Sequence, residues 1–449
     1  MIGSEIVSDE ASTPQRRRGS SPRLDRALTV IALLVGSLVF GSHAAHAAGG
    51  PAGEFFPVSP RRVLDTREGI GVPAAKVRGG NSIAVKVTGI ADLGVPASGV
   101  LAVAINVTAT NTTAAGYVTV FPTGASPPTA SNLNVLFGGH TTTNLAVVGV
   151  GSGGQVSVYV QSTSDIVFDL VGWYAAGDAP VGAGVGSRLE PVAPQRILDT
   201  REGLGAPQSP LGRDGTVTLQ VGGRITDRNG RTVNNLTGVV LNLTGTEPTG
   251  NTFVTAYPAG EGLPVASNLN LTPGLTRPNL VMVKTGAGGA ITLYNHVGNT
   301  QLVADVVGFY RNGADPNSFF GRVVPLASPF RTFDTRDSGA RLGPDQIDTW
   351  DFTPFVASLT GGGQSAGAVA GVIINFTGTQ GTADSFFTAY PSEVSRPFAS
   401  NLNLNRLDTV PNLAVVPLSQ GAASNRITTY LNRGFTHYLG DVGAVVLGD

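Results

Sequence analysis

One hexapeptide pattern occurs three times in this chain, and the spacing of its copies restricts the fold more than any other feature. Arg62-Val63-Leu64-Asp65-Thr66-Arg67 returns as Arg196-Ile197-Leu198-Asp199-Thr200-Arg201, and again as Arg331-Thr332-Phe333-Asp334-Thr335-Arg336. The aspartates stand 134 and then 135 residues apart, about one ordinary domain length. That period is far too long for a solenoid repeat or a propeller blade, so each copy reads as a whole domain. The repetition also lets the chain be compared with itself. A residue kept in all three copies answers to a constraint that the copies share.

Each copy presents the same order of signals. A strand carrying Asn106 and Thr108 is matched by Asn242 and Thr244, then by Asn375 and Thr377. An aromatic strand ending in proline follows, and then Ala-Ser-Asn-Leu-Asn appears verbatim at 130–134, 266–270 and 399–403. Asn144, Asn279 and Asn412 open a further strand, and Asp169, Asp305 and Asp441 lie in the last one. About eight short apolar runs per copy alternate β-branched with polar residues, and no 3.6-residue periodicity is sustained. The 61 glycines and 29 prolines suit many short strands joined by tight turns. The expected fold is therefore all-β, with three tandem antiparallel β-sandwich modules of jelly-roll or Greek-key type. Their bounds are 55–174, 188–310 and 322–447, joined by small, polar, Gly/Pro-rich linkers at 175–187 and 311–318. Whether the three modules gather around a common axis is left open by the sequence.

Residues 1–47 read as a signal peptide. Arg16, Arg17, Arg18, Arg23 and Arg26 form a basic lead, Ala27–Gly41 a short apolar run, and Ala45-His46-Ala47 a small-x-small exit, the pattern a signal peptidase cuts. The expected location is secreted or extracellular, associated with the cell wall, with no membrane contact after cleavage. The chain has no cysteine, which excludes disulfides, thiolate metal sites and a lipid-anchored cysteine. Of its 29 basic and 30 acidic residues, five and four fall in the signal, leaving 24 and 26 and a net charge of −2. No electrostatic footprint for nucleic acid follows from that balance.

In these motifs the chain resembles a repeat module common at the C-terminal ends of secreted actinobacterial proteins, which carries R-x-L-D-T-R, L-N-x-T, S-N-L-N and D-V-V-G-[FY] signals. The resemblance covers nearly all of residues 55–447. It implies an exported, envelope-associated protein and carries no established catalytic or ligand-binding role. The third copy departs most: Thr332-Phe333 replaces an aliphatic pair, and Asp441-Val442-Gly443-Ala444 reads as having dropped a valine and the aromatic end.

The polar residues common to the copies are the candidate site. In the first copy they are Arg62, Asp65, Arg67, Asn106, Asn132, Asn134, Asn144 and Asp169. The second has Arg196, Asp199, Arg201, Asn242, Asn268, Asn270, Asn279 and Asp305, and the third Arg331, Asp334, Arg336, Asn375, Asn401, Asn403, Asn412 and Asp441. Asp169 lies in a strand that is apolar on both faces, so its carboxylate needs a cation, and Arg62 or Arg67 is the natural partner. The leading expectation is an internal brace that holds each sandwich shut. A polar cleft for sugar hydroxyls and a calcium site on Asp65 or Asp169 are the alternatives.

Catalysis is not expected. His140, His296 and His437 fall at non-equivalent positions, so no general base recurs beside a recurring serine. Paired carboxylates for glycoside hydrolysis would be neutralised by arginines of the same copy. No metal or cofactor is expected. Tyr159, Tyr294 and Tyr430, like Phe121, Tyr257 and Tyr390, recur inside alternating strands, where core packing is the ordinary explanation. The expected function is a non-catalytic adhesion or interaction scaffold whose partner is a cell-wall polymer or another extracellular protein. The alternative is a lectin-like protein for cell-wall glycan or extracellular polysaccharide.

Overall fold

The computed structural model describes residues 25–26, 52–179, 185–312, 318–359, 369–421 and 424–449. Apart from 25–26, the signal expected over 1–47 lies outside the described residues, as do 180–184 and 313–317 of the linkers. Between Phe55 and Leu447 each repeat contributes eight strands. In the first these are β1 (Phe55–Asp65), β2 (Asn81–Lys86), β3 (Val100–Thr110), β4 (Gly116–Pro122), β5 (Leu133–Val135), β6 (Thr142–Gly149), β7 (Gln155–Val160) and β8 (Asp165–Ala175).

They form two antiparallel sheets, ordered β1-β8-β3-β6 and β2-β7-β4-β5. First pairs with eighth, second with seventh, third with sixth and fourth with fifth. Such nested pairing is what a long hairpin gives when it rolls up on itself, the jelly-roll wiring. Repeats two and three have the same order. The described residues have an all-β fold of three jelly rolls.

β8 shows how the repeats are joined. Ile166, Phe168 and Leu170 point into the core of their own sandwich. At Val171 the register against both neighbours shifts, a bulge that re-aims the strand, and Val171 and Tyr174 point the opposite way. There they meet Leu145 of their own repeat, Leu280 and Met282 of the second, and Leu413 and Val446 of the third. A fourth hydrophobic core, shared by all three repeats, thus lies outside the three sandwich cores. The strands Thr142–Gly149, Arg277–Lys284 and Val410–Pro417 pack pairwise against one another. The sheets that contain them surround a pseudo-threefold axis, and the other three sheets face away from it. Burying each large apolar side chain in that axial core stabilises the assembly by about 1.5–3 kcal/mol.

The deviations of the third repeat are packing compensations. The reading that it drops a valine is corrected: Ile373 pairs with Ala444 as Ala104 pairs with Gly172, so Gly443 stands at the bulge and nothing is missing. Gly172 is required because a Cβ there would sit 2.1 Å from Cζ of Phe55. The counterpart of Phe55 is the smaller Val323, which leaves room for Ala444. Likewise Leu64 faces Phe168, whereas Phe333 faces Gly440, where a Cβ would come 2.5 Å from the Phe333 ring. Bulk has moved from one strand to the other while the pair stays filled.

Candidate functional site

The recurring arginines and aspartates form the same cluster in every repeat. Arg62 Nε donates to Asp169 Oδ1 at 3.0 Å and its Nη1 to Asp65 Oδ2 at 3.1 Å. Arg67 grips Asp65 with Nε at 2.9 Å and Nη2 at 2.6 Å, and its backbone N–H also donates to Asp65 at 3.0 Å. In the second repeat Arg196 holds Asp305 at 2.8 Å and Arg201 holds Asp199 at 2.9 and 2.6 Å. In the third, Arg331 holds Asp441 at 2.8 Å and Arg336 holds Asp334 at 2.9 Å. Each cluster sets two carboxylates against two guanidiniums, so its buried carboxylates are neutralised and the cluster carries no net charge.

The two carboxyls of a cluster respond differently. Burial alone would raise Asp65, Asp199 and Asp334, but hydrogen bonds from the side chain and backbone of Arg67, Arg201 and Arg336 outweigh it and hold them below the ordinary carboxylate range. For Asp169 and Asp305 burial prevails and raises them despite the hydrogen bonds from Arg62 and Arg196.

The asparagines make a closed cycle around the axis. Asn144 Nδ2 donates to Asn375 Oδ1 at 3.0 Å, Asn279 Nδ2 to Asn106 Oδ1 at 3.0 Å, and Asn412 Nδ2 to Asn242 Oδ1 at 2.9 Å. Their own oxygens accept backbone N–H groups of that same neighbour, each at 3.1 Å: Asn144 from Leu413, Asn279 from Leu145 and Asn412 from Leu280. Asn106, Asn242 and Asn375 in turn donate to the carbonyls of Ser267, Ser400 and Ser131 in the next repeat's Ser-Asn-Leu-Asn segment. Within that segment Asn132, Asn268 and Asn401 accept from Val120, Ala256 and Ala389 of their own outer sheet, each at 2.7 Å. Asn270 reaches Thr143 of the first repeat, and Asn403 accepts from Ser400.

The expected brace is therefore corrected. The arginine–aspartate pairs link neighbouring strands of one sheet on the face away from the sandwich core, and the asparagines join different repeats. Ser267 also donates its backbone N–H to Asp169 at 3.4 Å, which ties the charged cluster to the same seam. The calcium alternative meets oxygens already held by guanidiniums, and among the described residues no group of three or more His, Asp or Glu is disposed to hold a metal.

The recurring aromatics are a second correction. In β7 Val156, Val158 and Val160 fill the sandwich core and Tyr159 points away from it. None of Phe121, Tyr159, Tyr257, Tyr294, Tyr390 and Tyr430 belongs to a sandwich core. They sit on the outward face of the outer sheets, where Tyr117 lies 5.7 Å from Tyr159, Phe253 6.2 Å from Tyr294 and Phe386 6.0 Å from Tyr430. Most are buried there all the same, Phe121, Tyr257, Tyr294, Tyr390 and Tyr430 at 4–8% exposed, and Arg396 lies 3.9 Å over the Tyr430 ring. Tyr294 and Tyr430 donate to Asp214 and Asp345, both at 2.6 Å. Strand alternation could have revealed this, since the valines between the aromatics claim the inner face.

No family model and no curated protein matches the chain. Among solved structures, it is similar to the N-terminal CBM22-1–CBM22-2 tandem domain of Xyn10C from Paenibacillus barcinonensis, at 11% identity over 57% of this chain and 98% of that one, with a TM-score of 0.16. It is also similar to a triple jelly-roll protein of an archaeal virus turret, at 8% identity over 87% and 91% of the two chains, again with a TM-score of 0.16.

Proposed function

We propose that this chain is a non-catalytic, exported interaction scaffold of the cell envelope, belonging with the secreted repeat modules it resembles. One observation carries the reading: the side chains that recur in all three copies are spent on tying strands of the inner sheets together and locking the repeats to one another. The product is a pseudo-trimer made from one chain, which holds three related outer sheets at fixed spacing. Tethered presentation raises avidity without any single strong contact. A labelled mature chain incubated with purified envelopes tests it. Retention that is lost after protease treatment of the envelopes supports a protein partner, and absence of retention contradicts the scaffold.

A second reading, carbohydrate binding, is favoured by the aromatic pairs on the outward faces. Half-buried rings such as Tyr117, Phe253 and Phe386 offer apolar surface beside polar groups, the composition that sugar recognition uses. Retention on purified wall polysaccharide that free sugar competes away supports this reading, and retention indifferent to sugar contradicts it.

A further inference from the structure

Three seams hold the repeats around the axis, and one backbone donor marks each. Leu145 N–H crosses from the first repeat to Asn279 of the second, Leu280 N–H from the second to Asn412 of the third, and Leu413 N–H from the third to Asn144 of the first, all at 3.1 Å. At this level the seams are alike. Around it they differ. The chain runs from the first repeat to the second at 175–187 and from the second to the third at 311–318, so no linker spans the third–first seam. The inner sheets of the first and second repeats also join into one eight-stranded sheet through Ser187 and Phe55, whereas the sheet of the third stands separately with four strands.

The charged groups follow the same order. Arg188 reaches Glu54 at 3.3 Å across the first–second seam, and Arg277 reaches Asp408 at 2.7 Å across the second–third seam. Among the described residues the ion pair that crosses the third–first seam, Arg322 with Glu54, is the longest at 3.8 Å. Ser267 of the second repeat donates to Asp169 of the first, and the Phe398 ring of the third lies 4.9 Å from the Arg196 guanidinium of the second. Thr129 of the first repeat, which precedes Ala130 as Phe398 precedes Ala399, brings no ring to Arg331. Asp441 there borders a crevice lined by Ser131 and Asn132 of the first repeat and by Leu326 and Pro329 of the third. Arg331 is accordingly 34% exposed, against 17% for Arg62 and 15% for Arg196.

We propose that the pseudo-trimer opens at the third–first seam, the third repeat turning away from the first while its seam with the second holds. Opening below the level of global unfolding takes place where a fold is least stabilised, and this seam lacks the linker, the continuous sheet and the close ion pair of the others. The movement breaks the bonds of Asn144 to Asn375 and Leu413. It uncovers Leu413 and Val415 of the axial core and leaves the asparagine bonds of the other two seams in place.

Hydrogen exchange of the mature chain, resolved to single amides and corrected for intrinsic rates, tests it without any substitution. The three leucine N–H groups have the same acceptor at the same distance, so each reports its own seam. Leu413 should exchange roughly tenfold faster than Leu145 and Leu280, or more, because it needs only the local opening. Protection of Leu413 equal to or greater than that of the other two would overturn the proposal, since all three would then be released together or another seam would open first.

Discussion

Asn144 donates a hydrogen bond from Nδ2 to Oδ1 of Asn375, 231 residues further along the chain and 3.0 Å away. The same amide gives its second proton to the Asn132 carbonyl at 2.8 Å and accepts the Leu413 N–H at 3.1 Å. One side chain thus satisfies groups in the first and third repeats, where water has no access. Asn144→Ala leaves at least two of these groups unpaired, and roughly 2–4 kcal/mol of destabilisation is expected. Equilibrium denaturation measures it, and a wild-type midpoint would place the asparagine cycle outside the stabilising contacts.

The three-domain organisation and the jelly-roll class were legible because strand alternation and turn residues act locally. The Arg62–Asp169 pair was legible because a carboxylate between apolar neighbours needs a cation. The axial assembly was written less plainly. Val167, Val171 and Tyr174 are apolar on the face opposite Phe168 and Leu170, which is how a strand reads when it is buried on both sides. What covers the second face is another repeat, and that contact lies more than a hundred residues away in sequence. The asparagines read as part of a brace within each copy for the same reason, since their partners are in other copies.

Removal of a clustered carboxylate should depend on which arginine it strands. Asp305→Ala takes from Arg196, whose side chain is 15% exposed, its two-bond partner and leaves it only Asp199 at 3.6 Å, and a loss of about 3–5 kcal/mol is expected. Asp199→Ala should cost less, about 1–3 kcal/mol, because Arg201 is 41% exposed and can turn to water while Arg196 keeps Asp305. Equal losses from the two variants in urea denaturation would contradict this ranking.

The compensated pair at Gly172 predicts a rescue. Gly172→Ala drives a methyl into the Phe55 ring and should destabilise by about 1–3 kcal/mol. Phe55→Val recreates the Val323–Ala444 combination of the third repeat, so the double variant should recover at least about 1 kcal/mol relative to the sum of the single changes. Strict additivity in a double-mutant cycle would show that the ring does not hold the position.

Two acid-sensitive contributions have definite signs. Asp65, Asp199 and Asp334 titrate below their ordinary value of 3.8 in the folded chain, so the stability they give is present above that pH and lost as pH falls through the folded values. His140 has its folded pKa near about 4 against 6.5, so the unfolded chain takes the proton first and stability declines as pH falls from 6.5 towards 4. Arg277 and Asp408 are the charged groups that face it. The stability difference between wild type and His140→Leu should therefore change between pH 7 and 4.5, moving in favour of the variant. A pH-independent difference would mean that the imidazole is not buried.

The central claim is that three repeats share one axial core instead of hanging as separate domains, and small-angle X-ray scattering of residues 52–449 tests it most directly. A single compact body of that length should give a radius of gyration of roughly 21 Å. Three jelly rolls strung on flexible linkers would give roughly 30 Å or more, and that result would contradict the shared core.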